Sequence, residues 1–139
     1  MDRAFLVLGG LFGLIGVALG AFGTHALRRR VPAERLATFE TGVRYQLWHA
    51  LALFAVVFVR SAGPLGRGAS FYAPLVLGRN ANPFAAIGGW LFVAGIVLFS
   101  GSLYALALTG EPRWGMVAPV GGACLLAGWA GVVLAALTL

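Results

Sequence analysis

Charged side chains are scarce in this chain. Of its 139 residues only 10% are charged, lysine is absent and four residues are acidic, whereas 60% are hydrophobic. An ordinary soluble domain has about 25% charged and about 45–50% apolar residues. A chain this short buries only about two-thirds of the surface that its unfolded form exposes, so its interior is too small for so much apolar surface. The composition excludes a water-soluble fold and predicts a protein embedded in lipid.

Cysteine is nearly absent as well, since Cys124 is the only one. A single cysteine excludes an intrachain disulfide and a cysteine-based metal site. Cys124 stands in an apolar run, which suppresses the reactive thiolate, so we interpret it as a small packing residue. The sequence also lacks a phosphate-binding loop, an H-E-x-x-H motif and a nucleophile next to a base. We therefore expect no enzymatic activity and no cofactor.

The basic residues are all arginines, and ten of them against four acids give a net charge of +6. In a soluble protein such an excess indicates nucleic acid as a partner. Here the arginines lie between long uncharged runs, which is typical of topology signals and of contacts with phospholipid headgroups. The expected partners are membrane lipids and either another copy of the chain or a different membrane protein. Nucleic acid is not expected.

Four apolar runs approach the length of a membrane-spanning helix, which needs about 20 residues. They cover about 4–27, 43–60, 84–108 and 114–138. The second run is the shortest, because Arg44 and Arg60 leave only 15 residues between them. We predict that residues 1–139 form one transmembrane domain, an all-α bundle of four transmembrane helices.

The two longer connections differ in character. The apolar residues Leu36, Phe39 and Val43 recur at helical spacing along residues 28–42 and into span two. This pattern predicts a short amphipathic helix at the membrane surface between spans one and two. A solvated linker is the alternative. The connection 61–83 is rich in glycine and proline, and its apolar patch Phe71–Leu77 is too short to span a membrane. We assign this second connection no chemistry.

The distribution of arginine predicts the orientation in the membrane. Six arginines lie in the connections after spans one and three, including the cluster Arg28–Arg30, and four lie on the other side. This favours a cytoplasmic location for the cluster, with both termini outside. Arg3 and the apolar run after it imitate a signal peptide, but the run exceeds a usual signal core, so we expect it to remain as span one.

Small residues form stripes along the spans. Steps of four and three residues keep them on one helical face. The stripe of span one is Gly9, Gly13, Gly16, Gly20 and Gly23, and that of span four is Gly121, Cys124, Gly128 and Gly131. Because small residues let neighbouring backbones approach closely in lipid, we predict that both stripes are helix contact surfaces. Pro119 is expected to bend span four near its start.

Polar residues gather where spans one and two meet the first connection. They are His25, Glu40, Arg44, Tyr45, Gln46 and His49. Polar groups at membrane depth are costly and are candidates for function. Glu40 and Arg44 stand one helical turn apart, which predicts an ion pair. Haem or metal binding through His25 and His49 is a weaker hypothesis, and hydrogen bonds between helices are favoured for both histidines.

Span three adds two further polar candidates, Ser102 and Tyr104. For both side chains we expect hydrogen bonds to a neighbouring helix, since such bonds are the usual role of hydroxyl groups in a membrane bundle. In span four, Trp129 lies too deep for an interfacial anchor and is interpreted as a packing residue.

Five ordered motifs carry a family resemblance. They are G-A-F-G-T-H-A-L at 20–27, F-E-T-G-V-R-Y-Q-L-W-H-A at 39–50, F-S-G-S-L-Y at 99–104, P-V-G-G at 119–122 and G-W at 128–129. Together they resemble the small membrane proteins known as domain of unknown function 423, related to the eukaryotic transmembrane protein 256. The resemblance covers nearly the whole chain apart from 61–83. It implies a bacterial inner-membrane protein with four helices and transfers no catalytic residue.

Two function hypotheses follow. The leading one is a non-enzymatic structural, assembly or accessory protein of the inner membrane, in which Glu40 and Arg44 fix the junction with the membrane surface. The alternative is an oligomeric channel or transporter for a small solute, with the polar cluster at its entrance. Spans one, three and four carry no acid at depth, which argues against a proton-coupled antiporter.

Overall fold

The apolar runs fold into helices, because a backbone in lipid must satisfy its polar groups within its own segment. The computed structural model describes residues 2–61 and 82–138, apart from the side chain of Ser61. These residues contain helices and no strand. The α-helices are α1 (Asp2–His25), α2 (Ala33–Ser61), α3 (Pro83–Gly95), α4 (Gly101–Thr109) and α5 (Ala118–Leu137).

Helices α3 and α4 form a single rod, which we call the third span. A π-helical turn, Ile96–Ser100, joins them. A short 3₁₀ helix, Pro112–Met116, leads into α5, and another, Leu27–Arg29, follows α1. Four helices are thus long and apolar enough to cross a membrane, over Asp2–Arg29, Ala33–Arg60, Pro83–Thr109 and Pro112–Leu137. This confirms the predicted four-span, all-α architecture.

Helix α2 is longer than the predicted second span, which was placed at 43–60. The amphipathic helix expected before it is present, but it continues into the span without a break and so forms the first turns of α2. Its apolar face is turned toward the protein: Phe39 is 1% exposed and packs in a cluster with Leu27 and Ala107. Burial of this face against the neighbouring helices explains why the segment joins the bundle.

Pro119 lies in the first turn of α5, where the N–H that proline lacks would have no partner within the helix. The fourth span passes from 3₁₀ helix to α-helix just before this residue. The predicted bend of span four stays a prediction.

Helices α1 and α2 pack in antiparallel fashion along the first glycine stripe. Gly9 lies against the backbone of Ala50, and Gly23 lies against the ring of Phe39. Gly16 and Gly20 face Leu47 and Val43 of α2. The close approach is possible because the glycines of α1 add no side chain to this face.

Gly13 is the exception in this stripe. A Cβ atom added there would meet no other atom within 4 Å. At about 100° per residue, Gly13 points about 50° away from the mean direction of the other four glycines of the stripe, so it lies at the edge of the contact with α2. Its assignment to the contact surface is wrong.

Helices α3 and α5 pack even more closely along the second stripe. Gly88 lies against the backbone of Gly128 and Gly131, and a Cβ at Gly121 would collide with the backbone of Phe99. Cys124, on the same helix, is partly buried and forms no disulfide. The core between the two helix pairs is apolar, with Phe5, Leu53, Val56, Phe92 and Leu125 at its centre.

Candidate functional site

The predicted polar cluster does not converge on one point. Its residues on α2 leave the helix in three directions, because each residue turns the side chain by about 100°. Gln46 points toward α1 and α4, His49 points toward α5, and Glu40 lies with Arg44 beside α1. The cluster therefore divides into three separate arrangements.

Gln46 connects three helices and is 3% exposed. Its Nε2 donates a hydrogen bond of 2.8 Å to the carbonyl oxygen of Phe12 in α1. Its Oε1 accepts a hydrogen bond of 2.9 Å from the hydroxyl of Tyr104 in α4. Tyr104 thus makes the helix-to-helix bond expected of it. The two bonds satisfy the buried amide and hold α1 and α4 against α2.

His49 connects α2 with α5 and is 5% exposed. Its Nδ1 lies 2.7 Å from the carbonyl oxygen of Tyr45, and its Nε2 lies 3.2 Å from the indole Nε1 of Trp129. An indole N–H only donates and a carbonyl only accepts, so both bonds form when the imidazole carries its hydrogen on Nδ1. Trp129 has a polar role that the sequence analysis missed, since its apolar surroundings indicated packing alone.

His25 does not meet His49. The hydrogen bond from Gln46 to Phe12 shows that the turn of α2 with Gln46 and His49 lies beside Phe12 of α1. His25 stands 13 residues further along α1. That is about 20 Å at a rise of about 1.5 Å per residue. Haem or metal binding through this pair is therefore wrong, and in the described part of the chain no group of three or more potential ligands could hold a metal ion.

Ser102 and Ser100 differ in their hydrogen bonds. The hydroxyl of Ser102 donates a hydrogen bond of 2.9 Å to the carbonyl oxygen of Phe99, which belongs to the same third span. The predicted bond from Ser102 to a neighbouring helix is therefore wrong. The π-helical turn places this carbonyl within reach of the serine. Ser100 is 1% exposed, and its hydroxyl has no hydrogen-bond partner within residues 2–61 and 82–138.

Glu40 and Arg44 do not form the predicted ion pair. Among the described residues the salt bridges are Arg60 with Asp2 and Arg113 with Glu111. Glu40 and Arg44 are both exposed, and water or headgroups can solvate each one separately. They line a groove between α1 and α2 of about 290 Å³, together with Thr24 and the backbone of Gly20 and Gly23. We call this the α1–α2 groove.

The buried ion pair lies at the other end of these helices. Nε of Arg60 donates to Oδ1 of Asp2 at 2.6 Å, and the two side chains are 6% and 34% exposed. Nη1 of Arg60 also donates to the carbonyl oxygen of Asn82, at the start of α3. The side-chain amide of Asn82 donates in turn to the carbonyl oxygen of Ala135 in α5. Sequence reasoning placed Arg60 at a span end and assigned Asp2 no role.

Arg35 was also missed as a structural residue. Its Nε donates a hydrogen bond of 2.7 Å to the carbonyl oxygen of Ala107, in the last turn of α4. Carbonyls at a helix end lack partners within the helix, and an arginine there satisfies one of them. Gly110 closes the same turn with φ of 76°, a backbone conformation that favours glycine.

A second and larger groove, of about 550 Å³, separates α2 from α5. We call it the α2–α5 groove. Its walls include four aromatic side chains, Tyr45 and Trp48 on α2, Phe99 on the third span and Trp129 on α5. Trp48 is 55% exposed and Trp129 is 45% exposed, so the groove is open toward the surrounding membrane.

Four apolar helices are joined by buried hydrogen bonds between polar side chains. This fold defines a multi-pass membrane protein built as a small four-helix bundle. Residues 19–122 match the family described as "Protein of unknown function (DUF423)". The chain belongs to this family, as its five motifs indicated. The predicted relationship to the eukaryotic transmembrane protein 256 stays a prediction.

Relatives extend the match over nearly the whole chain. UPF0382 membrane protein YwdK of Bacillus subtilis is 37% identical over an alignment of 139 positions that covers 96% of each chain. UPF0382 inner membrane protein YgdD of Escherichia coli K12 is 34% identical over 138 residues, covering 99% of this chain and 92% of the relative. No solved structure matches the chain. The protein is a multi-pass protein of the bacterial inner membrane, of unknown activity.

Proposed function

We propose that the protein is a non-enzymatic structural or accessory component of the inner membrane. One observation carries this proposal: four embedded polar side chains are used in bonds between helices. Gln46, Tyr104, His49 and Trp129 each bond across a helix interface. Groups held in this way stabilise a bundle and are not available to a substrate.

The position of the acids supports the same proposal. Asp2 is paired with Arg60, and the remaining acids, Glu34, Glu40 and Glu111, are exposed near the ends of the spans. A transporter driven by protons needs a titrating carboxylate at membrane depth. The distribution of acids therefore favours an accessory role over proton-coupled transport.

An accessory protein must also present a face to its partner. The α2–α5 groove is such a face, since its exposed aromatic rings offer a large apolar contact area. In lipid, a partner helix gains little from hydrophobicity and much from close packing in a concave surface. We infer that a transmembrane helix of another membrane protein packs in this groove.

Site-specific photo-crosslinking in intact bacterial membranes tests the proposal. A photo-reactive amino acid is placed at Trp48 or at Leu126, both in the groove, and at Leu14 as the control. Leu14 is 69% exposed and does not line the groove. We expect one discrete cross-linked protein from the two groove positions and none from Leu14.

Reconstitution in liposomes tests the alternative function, an oligomeric channel. Purified protein in liposomes should leave ion and small-solute flux at background. Flux that rises with protein concentration, together with no cross-linked protein from either groove position, would overturn the accessory role in favour of the oligomeric channel.

A further inference from the structure

The α1–α2 groove contains one positive and one negative side chain that form no ion pair with each other. Glu40 and Arg44 both line it, and neither has a salt-bridge or hydrogen-bond partner among the described residues. Residues at this spacing have Cβ atoms about 5–6 Å apart, so both charges can face one small molecule. The groove thus offers an anion site next to a cation site.

The floor of the groove suits a polar headgroup with attached apolar chains. Gly20 leaves the α1 side of the groove without a side chain, and Val43 and Leu47 supply an apolar wall on α2. The groove opens near the end of α1, close in sequence to the arginines that follow span one. Such arginines stand at the depth of phospholipid headgroups.

We propose that the α1–α2 groove binds the headgroup of a zwitterionic phospholipid that carries a primary ammonium. The phosphate accepts hydrogen bonds from the guanidinium of Arg44, and the ammonium donates to the carboxylate of Glu40. An ethylene bridge separates the phosphate of the headgroup from its ammonium. The spacing of these two charges matches that of two side chains one helical turn apart. This site is independent of the proposed accessory role and of the α2–α5 groove.

The pairing of charges selects among headgroups. A phosphatidylglycerol headgroup contacts Arg44 through its phosphate but leaves Glu40 without a cation, and its negative charge is repelled by the carboxylate. A phosphatidylcholine headgroup brings a quaternary ammonium, which has no N–H to donate. Phosphatidylethanolamine is the headgroup that satisfies both side chains with charge-assisted hydrogen bonds.

Native mass spectrometry of the full-length protein in neutral detergent tests the proposal. The protein is titrated with phosphatidylethanolamine, phosphatidylglycerol or phosphatidylcholine with identical acyl chains. We expect phosphatidylethanolamine to bind about threefold to tenfold more tightly than either other lipid, as charge-assisted hydrogen bonds at an exposed site allow. Equal binding of the three lipids would overturn the proposal.

Four substitutions separate this site from general attraction to charge. E40Q should remove the preference for phosphatidylethanolamine over phosphatidylglycerol, and R44Q should weaken the binding of both lipids. The matched controls E34Q and R28Q change exposed charges that do not line the groove, and should leave the preference unchanged. A preference lost equally in E34Q and E40Q would contradict the proposed site.

A steric variant tests the groove while keeping both charges. Thr24 is exposed and lines the groove, so T24L places a larger, apolar side chain there. We expect T24L to lower binding of phosphatidylethanolamine with an unchanged melting temperature in detergent. Wild-type lipid binding by a folded T24L protein would overturn the proposal, while the photo-crosslinks of the α2–α5 groove would be unaffected.

Discussion

Nε of Arg60, near the end of α2, donates a hydrogen bond of 2.6 Å to Oδ1 of Asp2 at the start of α1. The same guanidinium reaches the carbonyl oxygen of Asn82 at 3.2 Å. The amide of Asn82 continues to the carbonyl oxygen of Ala135 and the hydroxyl of Thr138, both at the end of α5. This series of hydrogen bonds ties all four spans together at one end of the bundle.

Asp2→Asn should lower the free energy of unfolding by about 1–3 kcal/mol, because it removes the counter-charge of a buried guanidinium. Reversible unfolding in mixed detergent micelles measures the change. Glu111→Gln is the matched control, since the Glu111 pair with Arg113 spans 3.9 Å and is exposed. The control should change stability by less than about 0.5 kcal/mol. Equal effects of the two substitutions would show that Asp2 is not a structural residue.

Gly88→Ala should destabilise the protein, whereas Gly13→Ala should not. A Cβ at Gly88 would lie 2.8 Å from the carbonyl oxygen of Gly128, so α3 and α5 would have to separate. At Gly13 the added methyl meets open space, and alanine favours the helix by up to about 1 kcal/mol over glycine. Thermal unfolding of the two variants in the same detergent compares them. A lower melting temperature for Gly13→Ala than for Gly88→Ala would contradict the packing described.

The sequence predicted the helices and their close packing well, for a physical reason. Lipid demands long apolar runs, and close backbone approach demands small residues, so both requirements appear directly as local patterns. The prediction failed at Gly13 because the width of the contact depends on the angle at which α1 and α2 cross. The sequence pattern of one helix carries no information on that crossing angle.

The pairing of polar residues was beyond local reasoning. Glu40 and Arg44 were expected to pair because they are close in the sequence, yet the buried pair joins Asp2 with Arg60, which are 58 positions apart. Trp129 reaches His49 across 80 positions. Such partners depend on the register between helices, and a single sequence does not fix that register.

Ser100→Ala and Ser102→Ala should have opposite effects on stability. The buried hydroxyl of Ser100 has no partner among the residues described, so its removal should raise the free energy of unfolding by up to about 1 kcal/mol. Removal of the Ser102 hydroxyl loses its bond to Phe99 and should lower stability by about 0.5–1 kcal/mol. Chemical unfolding in mixed micelles gives both values. A loss of stability in Ser100→Ala would indicate that its hydroxyl is bonded in the native protein.

A double-mutant cycle on Gln46 and Tyr104 tests most directly whether polar side chains hold this bundle together. Gln46→Leu, Tyr104→Phe and the double variant are unfolded reversibly in lipid–detergent micelles. The hydrogen bond of 2.9 Å between the two side chains predicts a coupling energy of about 0.6–1.7 kcal/mol, with the double variant losing less than the sum of the single losses. Additive losses, with no coupling between the two side chains, would contradict the account.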